Sequence, residues 1–291
     1  MILILAMSPI LAAIVLVAAT GLIVGVVLTL ASILMHVPVD PREGKVREVL
    51  PGANCGACGY SGCSGYAAAL AKGDTSNCSL CAPGGSAVAE KVAALLGLVA
   101  EPSKHQLTAV VKCRGTCEHT QKRVHYSGVE SCQMAVQLLG GPGQCTEGCL
   151  GYGDCARACP YGSIRMQDGV AVVDPRLCRA CKICVGVCPK KIIVMLPLDK
   201  KNAVNLCSNH EKGGVARKQC QTSCIACGLC AKNCPKSCIT ITNNNALVDP
   251  EICVGCGICV KKCPTTSMEM MPRFAVDILG EVHLEETKQS A

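Results

Sequence analysis

The sequence predicts an α+β protein in which one N-terminal transmembrane helix is followed by small cysteine-rich modules. Three observations support this. A long apolar run opens the chain, cysteine accounts for 27 of the 291 residues, and the cysteines recur at the same spacings in two successive segments. Five Tyr and one Phe are the only aromatic residues. The modules must therefore be held together by something other than ordinary apolar packing.

The apolar run covers residues 1–36 and is predicted to anchor the protein in a membrane. It contains no Asp, Glu, Lys or Arg, and a bilayer span needs about 20 apolar residues. A secretory signal peptide would begin with a positively charged region, which this run lacks. The first basic residues after it are Arg42, Lys45 and Arg47. The positive-inside rule then makes this a single-pass protein of the cytoplasmic membrane, with the remaining chain in the cytoplasm.

Cysteines at this density form disulfides in secreted proteins, bind structural zinc or ligate iron–sulfur clusters. The tight run C-x2-C-x2-C-x3-C-P is typical of 4Fe–4S ligation, whereas structural zinc uses separated pairs. The spacings in this chain favour iron–sulfur clusters, and a reducing cytoplasm keeps thiols free for that purpose. A zinc scaffold is the non-redox alternative, which visible absorption bleached by dithionite would exclude.

The section from residue 132 to about 265 is one unit that is repeated at an offset of 75 residues. The matching cysteines are Cys132, Cys145, Cys149, Cys155, Cys159, Cys178, Cys181, Cys184 and Cys188 in the first copy, and Cys207, Cys220, Cys224, Cys230, Cys234, Cys253, Cys256, Cys259 and Cys263 in the second. Such a repeat is a duplicated supersecondary module. We predict tandem ferredoxin-like modules at residues 132–200 and 201–267, each with two 4Fe–4S clusters.

The second copy contains two complete cysteine runs, each followed by proline. In such a run the first three thiolates bind one cluster, and the fourth binds the neighbouring cluster. One cluster is therefore expected at Cys224, Cys227, Cys230 and Cys263. The other is expected at Cys253, Cys256, Cys259 and Cys234.

The first copy departs from this pattern because Tyr152 stands where the second copy has Cys227. Its regular run predicts a cluster at Cys178, Cys181, Cys184 and Cys159. Its irregular run lacks one ligand, and the simplest substitution takes Cys145. The expected set is then Cys145, Cys149, Cys155 and Cys188.

An N-terminal 4Fe–4S module is predicted at residues 37–100. Its glycine-rich loop carries Cys55, Cys58 and Cys63, and glycine lets the backbone approach sulfur and donate NH groups to it. The fourth ligand is either Cys78 or Cys81. Helices are expected over residues 62–72 and 87–96, because a glycine follows each of them.

Several cysteines remain outside these five sets. A sixth cluster that joins the two modules is predicted at Cys113, Cys132, Cys207 and Cys220, with Cys117 as the alternative to Cys113. In the competing interpretation these are buried thiols inherited through duplication, and Cys113 has no counterpart in the repeat. Cys78, Cys117 and Cys238 are interpreted as small buried residues.

Other features of the sequence exclude several function classes. No residue set suits acid–base or nucleophilic catalysis. Gly151-x-Gly153-x-x-Ala156 imitates a dinucleotide motif but has no strand before it, so no flavin or nucleotide site is expected. Nucleic acid is not an expected partner, because stacking aromatics are almost absent.

The connecting region 101–131 and the cysteine runs are rich in Lys and Arg, either as solvated surface or to steer an acidic redox partner. Residues 268–291 form an acidic tail.

The order of these parts resembles the B subunit of the Rnf complex, an ion-translocating ferredoxin:NAD oxidoreductase. The resemblance is carried by the anchor, the stretch Leu50-Pro-Gly-Ala-Asn-Cys-Gly-Ala-Cys-Gly-Tyr-Ser-Gly-Cys63, the stretch Cys81-Ala-Pro-Gly-Gly85 and the ferredoxin-like modules. Within that family the chain is similar to the long form with two ferredoxin modules. The resemblance selects Cys81 over Cys78.

The resemblance also implies a function. The chain would accept electrons from reduced ferredoxin and pass them to membrane partners, and flavin-bearing subunits would reduce NAD. Translocation of Na⁺ or H⁺ would belong to other subunits, and this chain would have no complete active site. The alternative is an iron–sulfur anchor subunit of another membrane redox complex, such as a hydrogenase. The N-terminal motif alone also resembles one found in corrinoid iron–sulfur proteins.

Overall fold

The computed structural model describes residues 9–34, 40–99, 106–272, 274–276 and 282–284. Residues up to 41 and residues from 42 onward form two compact units. In the first unit, helix α1 spans Pro9–Leu34. It begins at a proline, which is tolerated there because the first NH of a helix has no partner within the helix. Leu11–Leu34 is long and apolar enough to cross a membrane, with a mean hydropathy of 2.8. Residues 1–8, 35 and 36 of the predicted anchor lie outside the described part.

The N-terminal module is helical. Its elements are α2 (Pro41–Val49), α3 (Cys63–Lys72), a short 3₁₀ helix (Ala82–Gly84) and α4 (Gly85–Leu96). Gly73 and Gly97 end α3 and α4 in the left-handed conformation, which confirms both predicted helices and their stop signals. Tyr66 of α3 is buried against Val46 and Val92. Its hydroxyl donates a 2.8 Å hydrogen bond to the main-chain oxygen of Asn77.

Module one, at residues 106–198, contains two antiparallel two-stranded sheets. Strand β1 (Leu107–Val111) pairs with β4 (Ile193–Pro197), and β2 (Ile164–Gln167) pairs with β3 (Val170–Val173). The short helices are α5 (Cys132–Ala135), α6 (Asp154–Arg157) and α7 (Ile183–Val187).

Module two, at residues 202–271, repeats this arrangement. Strand β5 (Asn202–Asn205) pairs with β8 (Met268–Met271), and β6 (Ile239–Thr242) pairs with β7 (Asn245–Val248). Its helices are α8 (Gly213–Gln219), α9 (Leu229–Lys232) and α10 (Ile258–Lys261). In the tail, β9 (Phe274–Val276) pairs with β10 (Val282–Leu284).

Two strands lie beyond the predicted module boundaries. The predicted connecting region 101–131 contains β1, and the predicted tail 268–291 contains β8. Each strand pairs with a strand at the opposite end of its own module. Such pairing closes a module through contacts distant in sequence, which local composition cannot indicate.

The pairing also changes how the two copies align. Cys113 lies two residues after β1 and Cys207 lies two residues after β5, so these two cysteines are structural equivalents. The segment from Cys113 to Cys145 is longer than the one from Cys207 to Cys220, and it contains the additional Cys132. The sequence repeat aligned Cys132 with Cys207 because it does not register this insertion. Cys113 therefore has a counterpart after all.

The cores of both modules consist largely of cysteine and small aliphatic side chains. In module one, Cys155, Cys178 and Cys184 are buried together with Ile164 and Ile193. In module two, buried cysteines likewise contact small aliphatic residues and a methionine. These cores agree with the expectation that aromatic packing contributes little.

Module two also has a buried amide network. The Asn245 side chain is fully buried, and its Nδ2 donates 3.0 Å hydrogen bonds to the main-chain oxygens of Cys207 and Asn209. Its Oδ1 accepts a 2.9 Å hydrogen bond from Nδ2 of Asn205. Val170 occupies the matching repeat position in module one. Only module two therefore has this network, which fixes the loop that carries Cys207.

Replacing Asn245 by Leu is expected to destabilise the protein by roughly 2–4 kcal/mol, because buried polar groups that lose their partners cost about 1–3 kcal/mol each. The measurement is the urea midpoint of the intact chain in detergent, followed anaerobically by circular dichroism. Asn233→Leu, at an exposed position, is the control and should leave the midpoint unchanged. Equal midpoints for the two variants would contradict this role.

Candidate iron–sulfur centres

Two pockets lie within module two, and each contains one of the predicted sets. Pocket 2a is lined by Cys224, Cys227, Cys230 and Cys263. Pocket 2b is lined by Cys234, Cys253, Cys256 and Cys259, and also by Cys238. Cys230 lies on α9 and Cys259 on α10, and a left-handed glycine precedes each helix. The fourth cysteine of each pocket comes from the opposite run, as the spacing predicted.

Pocket 1b of module one also has the predicted composition. It is lined by Cys159, Cys178, Cys181 and Cys184. The hydroxyl of Ser163 lies 3.2 Å from the Cys159 sulfur. Burial tends to raise the pKa of Cys159, but hydrogen bonds from Ser163 and from main-chain NH groups outweigh burial and lower it.

Pocket 1a of module one differs from the prediction. It is lined by Cys132, Cys149, Cys155 and Cys188, and Cys145 is not among its lining residues. The reason is the position of α5. The Asp154 carboxylate at the start of α6 accepts hydrogen bonds from the Ser131 hydroxyl at 2.9 Å and from the Gln133 NH at 3.1 Å. These bonds hold α5 against α6, so Cys132 lies beside Cys155.

A fifth pocket lies between the two modules, and we call it the bridging pocket. Its lining cysteines are Cys113, Cys145, Cys207 and Cys220, together with Cys149, which also lines pocket 1a. The predicted joining set contained Cys132 in place of Cys145, so the structure exchanges these two residues between pocket 1a and the bridging pocket. The largely apolar segment before Cys113 was the available signal in the sequence, whereas the strand before Cys207 reads Asn-Ala-Val-Asn and offers none.

Hydrogen bonds join the two modules around the bridging pocket. The Thr120 hydroxyl donates to the Gln219 main-chain oxygen at 2.8 Å, and the Ser208 hydroxyl donates to the Lys112 main-chain oxygen at 2.9 Å. Arg114 forms a 2.9 Å ion pair with Glu269 of β8. These bonds between modules hold the four cysteines together.

In the N-terminal module, Cys55, Cys58 and Cys63 lie near Cys81. Burial, with smaller contributions from the neighbouring Cys63, Cys55 and Cys58, raises the pKa of the Cys81 thiol to about 11. Cys78 is 1% exposed and lies in the module core. Burial alone raises the pKa of Cys78. The structure thus groups Cys81, rather than Cys78, with the other three.

The electrostatics of the pockets reflect crowded, buried thiols. Burial raises the pKa of Cys113 to about 12 and that of Cys184 to about 12, and neighbouring cysteines contribute in both cases. Four such thiols cannot all ionise together without a positive charge between them. A metal cluster that binds thiolates supplies this charge and releases the protons.

Several features fit a 4Fe–4S group rather than a single ion. Within the described part of the chain, no three His, Cys, Asp or Glu side chains are grouped tightly enough to hold one metal ion. The five pockets range from about 280 to 440 Å³, including space open to solvent. The buried hydroxyls of Tyr161, in pocket 1b, and Ser223, in the bridging pocket, have no hydrogen-bond partner among the residues that the structure describes. A sulfur-rich group in each pocket would supply that partner.

Three cysteines remain outside the six groups. Cys78 and Cys238 are buried, as expected, and the Cys238 sulfur lies 3.4 Å from that of Cys234. Cys117 was expected to be buried but is exposed, because it lies in a surface loop, where its NH donates to the Asp168 main-chain oxygen.

Comparisons with known proteins identify iron–sulfur domains in two parts of this chain. Residues 50–83 match a family described as a putative Fe-S cluster, and residues 223–267 match a 4Fe-4S dicluster domain.

The B subunit of the Na(+)-translocating ferredoxin:NAD(+) oxidoreductase complex of Acetobacterium woodii is 40% identical over 79% of this chain and 68% of its own length. The B subunit of the proton-translocating complex of Clostridium ljungdahlii is 40% identical over 80% of this chain and 81% of its own. The B subunit of the ion-translocating oxidoreductase complex of Methanosarcina acetivorans is 36% identical over 80% and 88%. The chain therefore belongs to the family of B subunits of ion-translocating oxidoreductase complexes, the Rnf complexes, and is an electron-transfer subunit with iron–sulfur clusters.

Proposed function

We propose that this subunit holds six 4Fe–4S clusters in one row and relays electrons from reduced ferredoxin to the membrane and flavin subunits of its complex. The observation that carries this proposal is the bridging pocket, to which each module contributes two cysteines. It turns two separate ferredoxin-like modules into one continuous path. The sets are those of pockets 1a, 1b, 2a and 2b, the bridging pocket, and Cys55, Cys58, Cys63 and Cys81.

The order of the row follows from contacts between neighbouring sets. The pKa of Cys181 in pocket 1b is raised by burial and then by Cys55, which connects the N-terminal set with pocket 1b. Cys155 of pocket 1a contributes to the raised pKa of Cys184 in pocket 1b. The NH of Cys149 in pocket 1a donates to the Cys113 sulfur of the bridging pocket at 3.3 Å.

The second half of the row continues into module two. The NH of Cys224 in pocket 2a donates to the Cys207 sulfur and lowers the pKa of that thiol, which burial raises overall to about 11. Helix α9 then carries Cys230 of pocket 2a, and the turn after it carries Cys234 of pocket 2b. The sets therefore run from the N-terminal module through 1b, 1a and the bridging pocket to 2a and 2b.

Bound 4Fe–4S groups take up and release single electrons, and the residues of this chain determine where they are held and how readily they do so. Main-chain NH groups and hydroxyls donate to the ligand sulfurs, and buried aliphatic side chains keep water away from them. The chain supplies no complete active site, so reaction with NAD belongs to the flavin-bearing subunits. The coupled ion is Na⁺ or H⁺, and other subunits carry it.

Removing the bridging set tests the number of clusters. The Cys207→Ser/Cys220→Ser double variant should lose about four irons per chain, because a cubane is held by four thiolates. Iron and sulfide analysis of the anaerobically purified chain is the measurement. Cys117→Ser, which changes a cysteine outside all six groups, is the matched control. Unchanged iron in the double variant would return the total to five.

Two single variants test the exchange between pockets. Cys145→Ser should alter the EPR signal that the double variant loses, and Cys132→Ser should alter a different signal. If Cys132→Ser instead alters the bridging signal and Cys145→Ser alters a different one, the ligand set inferred from the sequence repeat would be supported.

We place the docking surface for ferredoxin on module two. Cys227 of pocket 2a and Cys256 of pocket 2b are exposed. The exposed basic residues of this module include Lys232, Lys236, Lys261 and Lys262. Small, acidic electron carriers are steered by positive surfaces of this kind.

The electron-transfer on-rate from reduced ferredoxin should therefore fall steeply with rising salt. Stopped-flow mixing of the anaerobic chain with reduced ferredoxin at several ionic strengths provides the measurement. Lys261→Glu/Lys262→Glu should lower the on-rate at low salt by about tenfold or more, whereas Lys122→Glu, on an exposed residue of module one, should have little effect. A rate that neither salt nor the double variant changes would reject the docking surface.

The cytoplasmic location of the cluster modules is the remaining element of the proposal. The uncharged α1 is followed by Arg42, Lys45 and Arg47, which supports a single-pass orientation with the modules in the cytoplasm. Protease added to intact cells should leave them uncut, and the same protease added to inverted membrane vesicles should release them. Cleavage in intact cells would reverse the orientation.

A further inference from the structure

The bridging pocket is unusually polar for a set of buried sulfurs. Asn209 is 1% exposed and contacts two of them: its NH donates to the Cys207 sulfur at 3.4 Å, and its Nδ2 donates to the Cys145 sulfur at 3.5 Å. The Thr222 hydroxyl lies 3.3 Å from the Cys220 sulfur. Cys113 accepts from the Cys149 NH at 3.3 Å. Each of the four sulfurs therefore has a polar neighbour at hydrogen-bonding distance.

The positive charges at this pocket come from Lys112 and Arg114, which line it, and Arg114 is paired with Glu269 of β8. No acidic side chain is among the described residues that line the pocket. The hydroxyl of Ser223, 1% exposed and also lining the pocket, has no partner within the described ranges of the chain.

Pocket 1a provides an internal comparison. Its lining is largely aliphatic, with Val111, Leu150, Met166, Ile192 and Ile193, and its charged residues are Asp154 and Lys190, one of each sign. Ile192 stands four residues after Cys188. In module two that position is Ser267, whose hydroxyl lies 3.4 Å from the Cys263 sulfur. Cys188 has an aliphatic neighbour where Cys263 has a polar one.

Reduction adds a negative charge to a 4Fe–4S group. Hydrogen bonds to its sulfurs and nearby positive charges stabilise the reduced form and raise the reduction potential, whereas apolar or acidic surroundings lower it. Main-chain NH groups also donate to Cys149 and Cys155 in pocket 1a, so the two adjacent pockets differ in the polarity of their side chains, and Cys149 lines both of them.

We propose that Asn209 and Ser223 are potential-setting residues: they make the bridging pocket hold an electron more readily than pocket 1a, so that electrons collect at the junction of the two modules. This inference rests on the proposed six-cluster row. Asn209 acts through its two donors to sulfur, and the Ser223 hydroxyl finds its partner in the bound group.

The test is a potentiometric titration of the full chain in detergent, followed by EPR. The bridging signal is identified by its absence from Cys207→Ser/Cys220→Ser, and the pocket 1a signal by its change in Cys132→Ser. In the unmodified chain the bridging signal should appear at a higher potential than that of pocket 1a. Asn209→Asp should shift the bridging midpoint downward, because a carboxylate replaces the Nδ2 donor while its oxygen can still accept from the Glu211 NH, as Asn209 does at 2.8 Å.

The matched control is Asn244→Asp. Asn244 is exposed and donates to the main-chain oxygen of His210, the residue after Asn209, at 3.0 Å, so this variant introduces the same charge without removing a donor to sulfur. It should leave the bridging midpoint almost unchanged. A shift equal to that of Asn209→Asp would show a general charge effect and overturn the role of the amide.

Ser223→Ala keeps the test decisive if Asn209→Asp fails to bind iron. It removes a hydroxyl that has no partner among the described residues, so folding and iron content should be unaffected while the bridging midpoint falls. An unshifted midpoint in Ser223→Ala, or a bridging signal that appears below that of pocket 1a, would overturn the inference. If the double cysteine variant loses no iron, the six-cluster proposal itself fails. If it loses iron but the midpoints do not shift as expected, only the role of Asn209 and Ser223 fails.

Discussion

The structure depends on burying cysteine thiols in groups of four. A buried thiolate is unfavourable, and several close together repel one another, which is why burial and neighbouring cysteines raise the pKa of residues such as Cys155 and Cys184 well above that of a free thiol. With five Tyr, one Phe and no Trp, the chain has little aromatic surface to compensate. Iron is the positive charge that makes the grouping favourable, so cluster binding and folding are expected to stabilise each other.

Duplication alone would have given two independent modules, and the bridging pocket is what makes them continuous. Cys113 and Cys207 are structural equivalents, since each follows the first strand of its module, and Cys145 and Cys220 match in the repeat. The pocket thus has an approximate twofold character, with the same two positions supplied by each copy. The insertion in module one releases Cys132 from this arrangement, and Cys132 fills the place in pocket 1a that Tyr152 leaves without a thiol.

The regular cysteine runs could be read directly from the sequence because they are local: three thiols within seven residues leave few ways to surround one site. Pockets 2a, 2b and 1b follow that rule. The helices capped by Gly73 and Gly97 were predictable for the same reason, because their stop signals are also local. The exchange of Cys132 and Cys145 could not be read in this way. It depends on the antiparallel pairing of β1 with β4 and on the Asp154 bonds to α5, both of which join residues distant in sequence. Asn209 and Ser223 carry no motif, and only burial beside sulfur reveals them.

Differences in potential along a row of cysteine-ligated sites set where electrons reside, and in the proposed row the side chains around the ligands would supply these differences. Side chains at corresponding positions vary in the required way. The residue four places after the last cysteine of a run is Ser163, Ile192, Cys238 or Ser267, and the three polar ones lie within 3.4 Å of the sulfur that precedes them. A hydroxyl or thiol at that distance stabilises charge on sulfur, and isoleucine cannot. Duplication thus supplied similar sites, and the two copies now differ both next to the ligands and, where Tyr152 corresponds to Cys227, among them.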